Sequence, residues 1–287
     1  MSSTPRSRTS TCPWRRRTTS GRSRLGPPAC PPNTMAADRV RHAIVTGGAD
    51  GIGAGVVERL LSDGLGVVAV DVSVTALEEL ATRLGRPDAL VTVVGDVAEP
   101  ATWEKAVDTC HAALGPVGVL VNNAGISPKT DGRKIAGRSI PLAEWRRVVD
   151  VNLTGAFLGV QAVAPDMVDR QWGRIVNMSS QAGRTGTVVA GVHYGATKTA
   201  LIGLTRAFAG ELAGDGITVN AVAPGKIETP MMRGAVAESN EDFLRGIPVG
   251  HFGSPGDIAA LVSFLAGDES RFITGATVDA NGGSFMG

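Results

Sequence analysis

Residues 46–53 read Thr46-Gly47-Gly48-Ala49-Asp50-Gly51-Ile52-Gly53, between a β-branched run at 41–46 (RHAIVT) and a helix-forming segment at about 52–63. Glycine lets a backbone approach a pyrophosphate closely, and a helix N-terminus offers that group free N–H donors and a partial positive charge. A glycine-rich turn that joins a strand to a helix is therefore read as a phosphate-binding loop, with Thr46, Gly47, Asp50, Gly51, Ile52 and Gly53 as its contacts. Its spacing is G-x-x-x-G-x-G, not the G-x-G-x-x-G of many dinucleotide folds.

Outward from this loop, short apolar runs alternate with longer helical segments. Strands are expected at about 41–46, 66–71, 89–95, 117–122, 173–179, 216–222 and 274–279. Helices are expected at about 52–63, 74–84, 100–113, 141–170, 194–213 and 255–267. That alternation predicts an α/β fold, a single doubly wound domain on a mostly or wholly parallel seven-stranded sheet. Right-handed crossovers then gather the carboxyl ends of the strands around one crevice, so functional residues are expected just after strands.

The residues following the strands fit that expectation. Asp71 closes the second strand, where a carboxylate accepts hydrogen bonds from adenosine ribose hydroxyls and repels a 2′-phosphate. Asp50 adds a second negative charge on that side, and no Arg or Lys adjoins either in sequence, so NAD is expected over NADP. Asp96 and Val97 end the third strand at the expected adenine edge, and Asn123, Ala124 and Gly125 end the fourth, where small residues admit a cofactor. Simple turn chemistry is the alternative for both groups, since Asp, Asn and Gly commonly end strands.

At the other end, Tyr194 is the only tyrosine and Lys198 follows four residues later, so the two share one helix face. A phenol is a poor base at neutral pH, but a nearby ammonium and a positively charged nicotinamide favour its phenolate. Tyr194 is then able to exchange a proton with a substrate oxygen. Ser179-Ser180 ends the preceding strand, placing a hydroxyl near that oxygen, and Asn152 lies on the preceding helix, where it could hold a water linking Lys198 to solvent.

These residues carry a resemblance. TGGADGIG, NNAG, VNLTG, IVNMSS, YGATK and VAPGKIETP occur between about Val40 and Ser284 in the order of the short-chain dehydrogenase/reductase family. The resemblance implies a Rossmann-type fold and the tetrad Asn152, Ser180, Tyr194 and Lys198, with Lys198 also binding the nicotinamide ribose. It further implies that Pro224, Gly225, Ile227 and Thr229 embrace the nicotinamide end, and that the protein is a homotetramer, pairing helices 141–170 and 194–213, with a homodimer as the alternative. Two departures stand out. Ser180 lies 14 residues before Tyr194, one more than the commonest spacing, so Ser179 remains an alternative serine. Lys226 replaces the apolar or aromatic residue often found there.

Two loops bear on the substrate. Residues 129–138 hold Lys129, Arg133, Lys134 and Arg138 against the single acid Asp131, which suggests an anionic substrate if the loop reaches the site. Residues 231–252, with Met231, Met232, Phe243, Leu244 and Ile247 among glycines, resemble the family's substrate lid, with Gly234 and Gly246 as hinges.

The ends of the chain differ. Residues 1–34 contain seven arginines and no acid; removing those seven from 28 basic residues leaves 21 against 27 acidic ones, a charge of −6 for residues 35–287. The first segment is read as a disordered extension and the second as the dehydrogenase domain. A targeting peptide, a nucleic-acid-binding arm or an upstream start before Met35 are alternative origins of that extension. Cys110 is the only cysteine after residue 34, and no run approaches the roughly 20 apolar residues that span a bilayer, so a cytoplasmic protein is expected, with neither nucleic-acid nor membrane partners.

The expected activity is hydride transfer between nicotinamide and a small-molecule secondary alcohol or ketone. A 3-oxoacyl-[acyl-carrier-protein] reductase using NADPH and a non-catalytic NAD-binding sensor are the rivals. Zinc chemistry is not expected, because His42, His111, His193 and His251 lack ligand spacing, and Ser180 lacks the G-x-S-x-G elbow of a hydrolase.

Overall fold

The computed structural model describes residues 41–186, 190–229 and 244–287. Its strands are β1 (His42–Thr46), β2 (Gly66–Asp71), β3 (Leu90–Val94), β4 (Val117–Asn122), β5 (Gly173–Met178), β6 (Ile217–Pro224) and β7 (Thr277–Ala280). They form one seven-stranded sheet in the order β3-β2-β1-β4-β5-β6-β7, and every pairing is parallel. Strand order reverses between β1 and β4, which opens a crevice above their carboxyl ends.

The helices are α1 (Gly51–Ser62), α2 (Val74–Arg83), α3 (Pro100–Ala113), α4 (Leu142–Val149), α5 (Gly155–Asp169), α6 (Val192–Leu212) and α7 (Pro255–Leu265). Side chains alternate across a strand, so consecutive residues feed opposite layers. Val45, Val119 and Val121 pack beneath α1 and α7 with Val56, Leu60, Ile258 and Val262. Their neighbours Ile44 and Leu120 point the other way, toward Trp103, Val160, Val163, Met167 and Leu212 of α3, α5 and α6. A sheet covered on both faces needs apolar residues at successive positions, which is why β1 and β4 read as unbroken apolar runs.

Three boundaries differ usefully from expectation. β6 continues to Pro224, and β7 begins only at Thr277, because the Thr274 hydroxyl accepts the Val219 N–H at 3.1 Å and Gly275 turns the chain at φ 72°. The segment expected as one helix at 141–170 is continuous over Leu142–Asp169, but Asp150–Thr154 is a π-type turn between α4 and α5. That 28-residue helix also corrects the expectation that no segment is long and apolar enough to cross a membrane; by length and composition it is. Counting consecutive apolar residues missed it, since its hydropathy is spread over several turns. Val151, Val160, Val163 and Met167 of this helix are buried against the sheet, the packing that such a composition serves in a layered fold. The extension at 1–34 lies outside the described residues.

Candidate active site

The glycine loop is held mainly by main chain and by two polar side chains. Gly47 and Gly51 adopt φ of 58° and 54°, a conformation that side chains disfavour. A Cβ on Gly53 would collide with the Gly47 carbonyl, so residue 53 must be glycine for the loop to close. The Asn123 amide donates to the carbonyls of Thr46 at 2.9 Å and Gly47 at 3.0 Å. Thr46 Oγ1 accepts the N–H groups of Asn123 and Ala124, each at 3.0 Å. Thr46, expected as a ligand contact, is thus a buried brace that ties the β1 loop to the end of β4.

Asp50 caps α1, its carboxylate accepting the Gly51 N–H at 2.6 Å. Asp71 is aimed by two main-chain donors, Ala49 N–H at 3.2 Å and Ser73 N–H at 3.0 Å. Among the described residues no ion pair reaches either carboxylate. Asp96 is different. Its carboxylate pairs with Arg147 at 2.6 Å and accepts the Ala98 N–H at 3.0 Å. Burial alone would raise its pKa, but the Ala98 N–H and the Arg147 guanidinium prevail and hold it below the ordinary value.

Gly47, Asp50, Gly51, Ile52, Asp71, Asn123, Ala124 and Gly125 line one end of a cleft of about 400 Å³. Ser180, Tyr194, Lys198, Pro224, Gly225, Ile227 and Thr229 line the other. The structure therefore brings most of the expected residues together. Thr46, Gly53, Asp96, Val97 and Asn152 are not among the residues that line the cleft.

At the chemistry end, α6 carries Tyr194 and Lys198 on one face, with Lys198 Nζ 5.6 Å from the Tyr194 ring centroid. Lys198 is buried, and Nζ donates to the Met178 carbonyl at 2.7 Å. Burial disfavours the ammonium and pushes its pKa down to about 8. Burial raises the Tyr194 phenol, and a hydrogen bond with the Ser180 side chain opposes that rise. The two serines are distinguished by their partners. The Ser179 hydroxyl donates to the Lys198 carbonyl at 2.7 Å, a fixed structural contact, whereas Ser180 faces the phenol.

Asn152 sits in the π-type turn, a distortion common at functional sites. Its side-chain oxygen accepts the Ile126 N–H at 2.8 Å, and its nitrogen donates to the Ile126 carbonyl at 3.0 Å and to Thr197 Oγ1 at 3.2 Å. It clamps the loop after β4 to α6. A Cβ on Gly125 would lie 3.2 Å from Lys198 Nζ and 3.4 Å from Asn152 Oδ1, so glycine keeps this corner open.

Several contributors carry no sequence signal. The Met178 carbonyl is available from any residue type. His193 Nδ1 accepts the Tyr194 N–H at 2.8 Å, and its Nε2 meets Glu144 at 2.9 Å, locking the start of α6 onto α4. Lys226, noted only as a departure, lines the cleft. Of the segment resembling a lid, Met231, Met232, Gly234 and Phe243 lie outside the described residues, while Ile247 is buried and Leu244 partly exposed.

The arrangement fits a dinucleotide: the loop's missing Cβ atoms leave a cradle at the N-terminus of α1, and Asp71 and Tyr194 stand at opposite ends of one cleft. Comparison with known proteins bears on the same residues. The family model described as "Enoyl-(Acyl carrier protein) reductase" matches residues 47–284. An acetoacetyl-CoA reductase of Shinella zoogloeoides is 40% identical over 248 residues, covering 86% of this chain and 99% of that protein. A 3-alpha-(or 20-beta)-hydroxysteroid dehydrogenase of Mycobacterium tuberculosis (strain ATCC 25618 / H37Rv) is 41% identical over 246 residues, covering 85% and 89%. The crystal structure of a 3-oxoacyl-[acyl-carrier protein] reductase with bound NAD from Brucella melitensis superposes with a TM-score of 0.80 at 36% identity, covering 87% of this chain and 93% of that one.

Proposed function

The chain belongs to the short-chain dehydrogenase/reductase family and is an oxidoreductase acting on ketones and alcohols; from that premise we propose that it uses NAD(H) and that Asn152, Ser180, Tyr194 and Lys198 form its catalytic tetrad. The observation that carries the cofactor reading is Asp71, fixed by the Ala49 and Ser73 N–H groups at the end of the cleft remote from Tyr194. A carboxylate there accepts from ribose hydroxyls and repels a 2′-phosphate.

The nicotinamide, when bound, supplies or accepts the hydride. In reduction Tyr194 gives its phenolic proton to the substrate oxygen, leaving a phenolate, and in oxidation it takes that proton back. Ser180 donates a hydrogen bond to the same oxygen and orients it. Lys198 favours the phenolate by its charge and, by its place in the wall, is suited to hold the nicotinamide ribose. Asn152 keeps the β4 loop against α6 so that Gly125 leaves room beside Lys198. Pro224, Gly225, Ile227 and Thr229 flank the nicotinamide, and Asp96 with Val97 supports the adenine side from behind.

Fluorescence titration with NADH and NADPH tests the cofactor assignment. NADH is expected to bind more tightly, and Asp71→Asn to shrink that preference by about 10- to 100-fold, the scale of hydrogen bonds to a charged group. Tighter NADPH binding by the unaltered protein would refute it. It would also favour the second reading, a 3-oxoacyl-[acyl-carrier-protein] reductase, which the names of several relatives support.

The assembly we infer is a homotetramer built on α4, α5 and α6. Trp145 and Phe157 expose apolar surface there, and Phe157 stacks on Phe208 with ring centroids 6.1 Å apart. Light scattering on the eluted protein distinguishes it from the dimer. We further assign residues 35–287 as the dehydrogenase domain with 1–34 as a separate disordered extension, tested by limited proteolysis. A cytoplasmic location, with the one domain cysteine buried and reduced, is tested by fractionation.

A further inference from the structure

Helix α6 opens without the usual side-chain cap. Its N-cap is Gly191, which has no side chain to offer, so the Tyr194 N–H in the first turn has neither an intrahelical partner nor an N-cap acceptor. His193 supplies that acceptor from within the helix, Nδ1 taking the Tyr194 N–H at 2.8 Å. Glycine at 191 makes this possible, because a Cβ there would run into Cε1 and Nδ1 of the ring. The Tyr194 carbonyl is held as well. It accepts the Thr197 hydroxyl at 2.9 Å, and Thr197 Oγ1 accepts in turn from Asn152 Nδ2 at 3.2 Å. Side chains therefore fix both main-chain polar groups of Tyr194.

The far side of the imidazole settles its tautomer. His193 is 1% exposed, and Nε2 meets Glu144 Oε1, from the first turn of α4, at 2.9 Å. A main-chain N–H only donates and a carboxylate only accepts, so the ring is neutral with its proton on Nε2. A proton on Nδ1 would set two N–H groups against each other at Tyr194. Glu144 thus acts on Tyr194 through the ring, by selecting the form whose Nδ1 keeps a free lone pair. The chain leading into α4 closes on the same turn of α6: a Cβ on Gly137 would lie 3.0 Å from Val192 Cγ2.

Helix ends fray, and Tyr194 lines the cleft from the third residue of α6. Proton transfer is sensitive to such placement, since a displacement of about 1 Å costs on the order of 100-fold in rate. We propose that His193 is a positioning residue for Tyr194: held by Glu144 as the Nε2–H tautomer, it fixes the first turn of α6 from Nδ1 and with it the place of the phenol opposite Ser180. The inference rests on the reading of Tyr194 as the proton carrier and adds to it two residues, His193 and Glu144, that act through the main chain of Tyr194.

The test separates the two ring nitrogens. In His193→Asn the side-chain oxygen stands where Nδ1 stood and still accepts the Tyr194 N–H; in His193→Gln the amide reaches Glu144 but leaves that N–H without an acceptor. With methyl acetoacetate and NADH, kcat is expected to fall about 10- to 100-fold in His193→Ala and His193→Gln, with KM for NADH close to that of the parent, and to recover most of the loss in His193→Asn. Glu144→Ala should lower kcat in the parent but change it by less than about twofold in His193→Ala, because it acts through the ring. Equal losses in His193→Asn and His193→Gln, or a kcat for His193→Ala within about twofold of the parent, overturn the proposal. A second readout needs no turnover. Tyr194 is the only tyrosine, so phenolate absorbance of the full-length, cofactor-free protein titrates it alone. Burial holds this phenol above its ordinary value against the Ser180 hydrogen bond, while Lys198, which also faces the ring, is already deprotonated above about 8. Release of the first turn to water should move the step down toward the ordinary value in His193→Ala and His193→Gln, but not in His193→Asn. That pattern upholds the positioning role even if no ketone is reduced; a step unchanged in all three variants removes it even if ketones are.

Discussion

Gly47, Gly51 and Gly53 at one end of the cleft and Tyr194, Ser180 and Lys198 at the other solve the placement problem by different means. The first end is largely main chain: positive φ angles, a helix N-terminus, and the Thr46 and Asn123 side chains serving only to brace it. The second end consists of side chains carried in from the end of β5, from α6 and from the turn at Asp150–Thr154, with the Lys198 side chain buried among them. Substitutions at the first end should act through geometry, and those at the second through loss of a group from an intact frame.

The largest expected effect is at the second end. Tyr194→Phe removes one oxygen from a part-exposed ring and leaves α6 and its packing in place. Turnover should fall by about 10²- to 10⁴-fold, the range for a positioned acid or base, while NADH affinity and thermal stability stay close to those of the parent. Steady-state kinetics with a ketone and a fluorescence titration check the two halves of that statement. A variant retaining more than about a tenth of the activity would break the contrast, because the proton would then have another carrier.

Lys198 gives the next effect, in stability. Its folded pKa of about 8 lies below the ordinary 10.5, so between those values the unfolded chain keeps a proton that the folded one has released. Stability attributable to this group therefore rises with pH through the window from about 8 to 10.5. Below the window the full penalty for burying the ammonium is present. Unfolding free energies of the cofactor-free protein and of Lys198→Met, measured in urea from pH 7 to pH 10, should separate by on the order of 3 kcal/mol in favour of the parent as pH rises. A difference that stays flat across that range would show that the ammonium is solvated after all.

The two ends also differed in how well the sequence revealed them. Strands β1, β2 and β4 were legible because a parallel sheet covered on both faces demands continuous apolar runs, and the glycine loop because its conformation admits few other residues. The spacing of Tyr194 and Lys198 placed them on one helix face, and Ser179-Ser180 at the preceding strand end together with the family motifs singled them out. What escaped was pairing at a distance. Nothing in the spacing shows that Asp96 is taken by Arg147, or that Ser179 is tied to the Lys198 carbonyl while Ser180 meets the phenol. The π-type turn at Asp150–Thr154 is hidden because one extra residue in a turn hardly disturbs a helical pattern averaged over a window.

The smallest effect sharpens the contrast most, because it must come without loss of any functional group. Gly53→Ala adds one methyl group directly onto the Gly47 carbonyl, which is main chain and is itself held by the Asn123 amide at 3.0 Å. The loop can relieve the contact only by moving, and overpacking of this kind costs about 1–3 kcal/mol. With the loop as the proposed dinucleotide cradle, the displacement should appear as weaker NADH binding by about 5- to 150-fold on that scale. At saturating NADH, turnover should stay close to that of the parent, the reverse of Tyr194→Phe. Cofactor titration and kcat at saturation, measured on both variants, check the crossing pattern. If Gly53→Ala instead lowered kcat at saturation while leaving affinity unchanged, the loop would be acting on the chemistry, and the division of the cleft into a frame and a reactive end would fail.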